Sequence, residues 1–296
     1  MKHSTAAVTG SSGFIGKHLV QALESIGTSV FEISRTVSSI DVTDWKLVQN
    51  IPVKDVAFHL AGVTNIQEAF VQPRNVYFTN YVGTLNMLEW CRIHDIERMV
   101  YASTFVYGVP QYLPVDEIHP TSPNNPYSQS KLMGEELCEA YCRDHDLNIT
   151  ALRFFNIYGP GQTGNFLVPQ VLRQLSAGDI ILGDPFPKRD FVYISDVINA
   201  LITASESNIK GFNAYNIASG ESYPAGVIAD MLADLYFEHT DKNVSIRYTC
   251  DKRKSEIADT IANIEKAKKD LKWTPKVDIR TGLSMTLRAY LDEHKE

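Results

Sequence analysis

Thr9-Gly10-Ser11-Ser12-Gly13-Phe14-Ile15-Gly16 decides how this chain is read. It follows the apolar run Ala6-Ala7-Val8 and opens a helical pattern in which Ile15, Leu19, Leu23 and Ile26 are spaced by four, four and three. The context is therefore strand, glycine turn, helix. Glycines at 10, 13 and 16 also occur by chance in ordinary turns, so it is the position between strand and helix that gives the spacing its weight. A turn of this kind aims backbone N–H groups and the positive end of a helix at one point, and a Cβ there would block either the turn or a close-lying phosphate. Gly10, Ser12, Gly13, Phe14, Ile15 and Gly16 are thus candidates for holding the pyrophosphate of a dinucleotide.

The 296 residues suffice for one large or two modest domains. With 28 basic against 35 acidic residues the net charge is -7, the opposite of what a nucleic-acid binder carries. No apolar run approaches a membrane span, and Met1 to Thr5 lacks the apolar core of a secretory signal. A cytoplasmic protein with no nucleic-acid or membrane partner is expected. Cys91, Cys138, Cys142 and Cys250 lack a second close pair, so reduced structural thiols are expected and no metal site.

Strand-like runs recur at 29–33, 55–60, 98–103, 150–155 and 213–217, with helical patterns between the first several. This alternation predicts an α/β fold with a doubly wound parallel sheet. Pro110 to Pro126 and Gly159 to Gly164 read as long loops over one edge of the sheet. Beyond Gly220 the pattern is mainly helical and charge-rich, as in a smaller lobe packed beside the first.

The second strand ends near Ser34-Arg35, where a protein preferring NAD usually carries an acidic residue for the ribose hydroxyl. A hydroxyl and a cation suit a 2'-phosphate instead, so NADP is expected ahead of NAD; Glu32 keeps NAD as second choice. Asp41-Val42 faces the adenine or, read plainly, Asp41 caps the helix that follows. The strand ending His59-Leu60-Ala61-Gly62 provides a small-residue turn over which a cofactor can pass, and His59 reads as a core histidine. Helical spacing continues over 75–94, where the polar residues of Asn80 to Asn86 read as packing features.

The strand 98–103 brings the Ser103 hydroxyl to a carboxyl-terminal strand end, and Asn125-Pro126 is a good N-cap and first helical residue. Tyr127 and Lys131 then fall at i and i+4 on one helix face. A tyrosine is a poor base at neutral pH, but a neighbouring ammonium and a cationic nicotinamide favour its phenolate. It can exchange a proton with a substrate oxygen while hydride moves, with Ser103 holding the same oxygen. A bare Tyr-x-x-x-Lys is usually a surface pair. After a glycine turn and a strand-end serine it is the best catalytic candidate.

Taken together, the glycine turn, His59 to Gly62, Ser103 with Val106-Tyr107-Gly108, Tyr127 to Lys131, Arg153 to Pro160, Arg189 to Tyr193 and Tyr215 to Gly220 resemble the extended short-chain dehydrogenase/reductase family. That group includes nucleotide-sugar epimerases, dehydratases and 4-ketoreductases. The resemblance runs from Thr9 to about Leu283. It implies a Rossmann domain (residues 1–158 plus about 190–218) and a smaller α/β carboxyl-terminal substrate domain (about 159–189 plus 219–296). It also implies a nucleoside-diphosphate sugar as partner, a homodimer, and Ser103, Tyr127 and Lys131 as the catalytic triad. By the same resemblance Asn156, Arg189 and Arg253 bind the diphosphate and Glu256 the ribose, with Ser103 and Thr104 near the sugar.

Departures from the family narrow the reaction. Thr104 and Phe105 stand where 4,6-dehydratases carry an Asp-Glu pair, and Phe105 where 3,5-epimerase/reductases carry Cys. Hydride chemistry at a sugar carbon, C4 by preference, remains. The expected function is an NADPH-dependent 4-keto-6-deoxy sugar nucleotide reductase, on the strength of Ser34-Arg35 and of short similarities to GDP-4-keto-6-deoxymannose reductases at Gly159 to Gln162 and Arg253 to Glu256. The alternative is a 4-epimerase with retained cofactor. A non-catalytic cofactor-sensing regulator is remote, because both Tyr127 and Lys131 are present.

Overall fold

A computed structural model describes residues 3–251 and 256–294. Strands β1 (Thr5–Thr9), β2 (Ser29–Ile33), β3 (Val56–His59), β4 (Arg98–Thr104) and β5 (Asn148–Phe154) alternate with helices α1 (Phe14–Ser25), α2 (Trp45–Val48), α3 (Ile66–Val71), α4 (Pro73–Tyr77), α5 (Gly83–Ile93) and α6 (Pro126–His145). After them come β6 (Asn156–Tyr158), α7 (Leu167–Leu175), β7 (Asp179–Leu182), β8 (Lys188–Tyr193), α8 (Ile194–Glu206) and β9 (Phe212–Ile217). The chain closes with β10 (Ser222–Pro224), α9 (Ala225–Thr240), β11 (Ser245–Tyr248), β12 (Asp259–Thr260) and α10 (Ile279–Glu293).

Six strands form a parallel sheet in the order β2-β1-β3-β4-β5-β9. Its strands read as near-continuous apolar runs because both faces are covered. Alternate residues divide between two layers: Ala6, Val8, Phe58, Val100 and Leu152 pack under α1 and α8 with Leu19 and Val197, while Ala7, Ala57, Met99, Tyr101 and Ala151 pack under α5 and α6 with Leu88 and Cys138. This is the doubly wound α/β fold expected. Strand order reverses between β1 and β3, and in open sheets that switch point leaves a crevice at the carboxyl ends. Among the described residues no helix is long and apolar enough to cross a membrane.

The helical pattern over 75–94 is not one continuous helix. Residues 78–82 form a π-helical turn between α4 and α5. The Asn80 side chain there is drawn to the neighbouring loop: its Oδ1 accepts from the Val63 N–H at 2.7 Å and its Nδ2 donates to the Val63 carbonyl at 3.1 Å. The segment beyond Gly220 carries β10, β11 and β12 besides its helices, since β11 pairs with β7, and β10 and β12 flank β8.

Candidate active site

The glycine turn sits at the switch point. Gly10 has φ +69°, and a Cβ on it would lie 2.8 Å from the Ala61 nitrogen, so the turns after β1 and β3 touch here. A Cβ on Gly16 would lie 2.1 Å from the Gly10 carbonyl oxygen. Gly13 caps α1 without a side-chain hydrogen bond, which leaves first-turn N–H groups of the helix for a ligand. The buried Ser11 hydroxyl has no partner among the described residues. An uncapped helix start, an orphaned hydroxyl and glycines that admit close approach fit a dinucleotide pyrophosphate. Phe14 and Ile15 lie partly buried against the core, and Phe14 packs edge-on to His18.

The turn is wired to the rest of the sheet. Thr9 Oγ1 accepts from the Leu60 and Ala61 N–H groups, both at 3.1 Å, so its own proton goes to His59 Nδ1 at 2.8 Å. His59 Nε2 then donates to Thr84 Oγ1 at 3.1 Å, and Thr84 donates to the Asn80 carbonyl at 2.6 Å. Burial, with the Lys131 charge adding to it, pushes His59 down to about 3, so the imidazole is a neutral core group as expected. Gly62 lies against Asn80: a Cβ on it would come within 3.0 Å of Oδ1. Asn80 Nδ2 donates to Ser130 Oγ at 2.8 Å, which donates to the Tyr127 carbonyl at 2.7 Å. The chain of bonds thus runs from the glycine turn to the backbone of the tyrosine.

At the adenosine end, Glu32 lies inside β2, paired with Val8, and Ser34 and Arg35 are the first residues beyond the strand. The buried Ser34 hydroxyl accepts from the Val37 N–H at 3.0 Å and closes a local turn, which leaves its proton to donate. Arg35 is exposed and lines a cleft of about 390 Å³ with Gly62, Val63, Asn65, Glu68 and Thr79. Asp41 does not cap the helix. Its carboxylate accepts from the Thr43 N–H and hydroxyl at 2.9 and 2.8 Å, and Asp44 caps α2. Val42 is buried beside Gly83, where a Cβ would come 2.8 Å from its methyl.

Asn125 Oδ1 accepts from the Ser128 N–H at 2.9 Å and starts α6, with Pro126 at its first position. Tyr127 and Lys131 follow one turn apart. Burial raises the Tyr127 phenol, and the nearby Thr104 hydroxyl offsets part of the rise. Lys131 is buried and drawn down to about 8 by that burial, with Cys138 and Glu135 opposing.

Ser103 is bonded to α6. Its buried hydroxyl donates to Glu135, one turn beyond Lys131, and Glu135 is held by Arg153 through Nη2 at 2.7 Å and Nε at 3.0 Å. Tyr101 and Ser103 share the face of β4 turned to α6, where the buried Glu135 carboxylate needs donors. Arg153 also donates to Tyr107 Oη at 3.0 Å, and Tyr107 to Asn216 Oδ1 at 2.6 Å. Glu135 and Arg153 were not singled out from sequence; an acidic residue four beyond the lysine, on the apolar helix face, was the available signal.

On the substrate side, Arg189, Glu256 and Asn156 bond within the chain. Arg189 pairs with Glu256 and donates to the Ile257 carbonyl at 2.8 Å, so Glu256 faces an arginine. Asn156 Nδ2 donates to the Asp190 carbonyl at 3.2 Å. Asp190 is buried and receives Ser219, Gly220 and Ala262 N–H groups, which ties β8 to the turn between β9 and β10 and to the segment after β12. Arg253 lies outside the described residues.

A family model for the NAD dependent epimerase/dehydratase family matches residues 6–218. The chain is 33% identical to a putative UDP-glucose 4-epimerase of Methanocaldococcus jannaschii, over 93% of this chain and 95% of that one. It is 31% identical to GDP-6-deoxy-D-mannose reductase of Pseudomonas aeruginosa, over 77% and 79%. Among solved structures, RMD from Pseudomonas aeruginosa complexed with NADPH superposes with a TM-score of 0.88 at 27% identity, covering 98% of this chain and 99% of that one. The chain therefore belongs to the NAD dependent epimerase/dehydratase family, and is an NAD(P)-dependent enzyme.

Proposed function

We propose that this enzyme moves hydride at C4 of a nucleoside-diphosphate sugar, and that it does so as an NADPH-dependent reductase of a 4-keto-6-deoxy sugar nucleotide. The observation that carries the cofactor is Arg35, a cation on the rim of the cleft where an acidic ribose ligand would otherwise follow β2. The glycine turn holds the pyrophosphate, and Arg35 answers a 2'-phosphate. When bound, the dinucleotide supplies the hydride. Tyr127 gives its phenolic proton to the sugar oxygen as the carbonyl is reduced. A phenol kept protonated by burial is suited to that direction, because an acid is needed first. Lys131 as an ammonium stabilises the phenolate left behind. Thr104, near the phenol, holds the same oxygen, and Ser103 secures Glu135 and Arg153 behind it. Arg189 binds the diphosphate on exchanging Glu256 for it. In this reading the first part of the chain to residue 158, with 190–218, carries the cofactor, and 159–189 with 219–296 carries the sugar nucleotide.

The alternative is a 4-epimerase with retained cofactor, favoured by the Methanocaldococcus relative. Purified protein is assayed for bound cofactor and its redox state, then given NADPH or NADH with GDP- and dTDP-4-keto-6-deoxy sugars, and UDP-glucose alone. Stoichiometric NADPH oxidation is the expected outcome. Retained NAD with interconversion of UDP-glucose and UDP-galactose and no net consumption refutes the reductase.

A further inference from the structure

We propose that the aromatic face of Tyr101 is the seat of the Lys131 ammonium, which makes Tyr101 a positioning residue for the proton transfer at Tyr127. This deepens the proposed reaction and rests on the assignment of Lys131 to it. Lys131 Nζ stands 4.2 Å from the centroid of the Tyr101 ring. Both residues are buried, and Lys131 makes no ion pair among the described residues. The one carboxylate on its helix face, Glu135, is committed to Arg153 and Ser103.

An ammonium in that setting has lost its water and needs a compensating partner, or it gives up its proton. The ring supplies one through its negative face. The other groups around Lys131 do not substitute for it. His59 on β3 is neutral and its two nitrogens are used by Thr9 and Thr84; Cys138 on α6 is a thiol that burial keeps protonated; Tyr127 is a phenol that burial keeps protonated.

The ring is itself held in place. It stacks on His59 with centroids 5.9 Å apart at 26°, and its hydroxyl donates to the Lys131 carbonyl at 3.3 Å. Gly134 makes room for that hydroxyl, since a Cβ there would lie 2.1 Å from it. A ring located by strand, helix and histidine fixes where the ammonium rests.

The test reads Lys131 directly. In protein carrying 15N-lysine, the Lys131 side-chain signal is identified by its loss in Lys131→Met, and its titration is followed by NMR. Tyr101→Phe keeps the ring face, and phenylalanine with three ring fluorines at position 101 keeps nearly the same shape while removing the negative face, so misfolding does not confuse the comparison. Tyr101→Phe is expected to titrate with the wild type. The fluorinated ring is expected to lower the midpoint by about one pH unit, roughly tenfold in the acid dissociation constant. The high-pH limb of kcat should move down by the same amount with KM unchanged. A fluorinated variant that titrates with Tyr101→Phe overturns the proposal, as does a Tyr101→Phe shift as large as the fluorinated one. The NMR titration needs no substrate, so failure of the nucleotide-sugar reading in the product assay leaves it intact.

Discussion

Exchanging Thr104 and Ser103 separately for alanine separates chemistry from scaffolding at the end of β4. Thr104→Ala removes the hydroxyl proposed to hold the reacting oxygen beside the Tyr127 phenol. Losing one oriented donor at a reacting oxygen costs roughly 10²- to 10³-fold in kcat, and a half-exposed threonine contributes little to the core, so the melting temperature should hardly move. Ser103→Ala removes instead a donor to the buried Glu135 carboxylate. A hydrogen bond to a charged buried group contributes about 1.5–3 kcal/mol, which in a chain of this size lowers Tm by roughly 3–6 °C. Glu135 keeps Arg153, so the protein should still fold. Steady-state kinetics with the sugar nucleotide found in the product assay, together with thermal unfolding watched by circular dichroism, gives both numbers. A Ser103→Ala enzyme that loses a hundredfold in kcat at unchanged Tm, beside a near-normal Thr104→Ala, would show that the two hydroxyls had been assigned the wrong way round.

Gly16→Ala should abolish cofactor binding, because its Cβ would lie 2.1 Å from the Gly10 carbonyl oxygen; fluorescence titration with NADPH checks this, and near-normal affinity would contradict the turn's role. Arg35→Ala should weaken NADPH by about 10- to 100-fold, the range for losing charge-assisted bonds, and leave NADH unchanged; equal losses would remove the case for a 2'-phosphate. Acid should destabilise the fold through His59. A histidine held neutral at about 3 against a reference of 6.5 contributes stability that is complete above pH 6.5 and is lost as pH falls toward 3. At pH 5 the loss is about 2 kcal/mol, read from urea unfolding at pH 8 and pH 5. His59→Gln should flatten that dependence, and an unchanged slope would mean that other groups set it.

Much of the architecture was legible in local pattern, and the reason is physical. Buried parallel strands are apolar throughout, the glycine turn needs its glycines sterically, and the Asn125-Pro126 start of α6 is local capping chemistry. These features depend on neighbours in sequence. What sequence did not disclose depends on partners far along the chain. That the Ser103 hydroxyl goes to Glu135 is decided by which face of β4 meets α6 and by the need of a buried carboxylate for donors. The Ser34 hydroxyl accepts from Val37 in a local turn that residue type alone does not reveal, and Arg35 beside it lines the cleft. The π-helical turn at Asn80 was hidden for the same reason: its helical spacing is intact, and only the loop at Val63 and Ser130 on α6 explain why the helix gives up its regular bonds. A motif names the chemical groups that reach the site, and long-range competition among donors and acceptors selects which of them remain available to a ligand. That selection commits the Ser103 hydroxyl to Glu135, whereas the glycine turn, built from neighbours in sequence, keeps an uncapped helix start for a ligand.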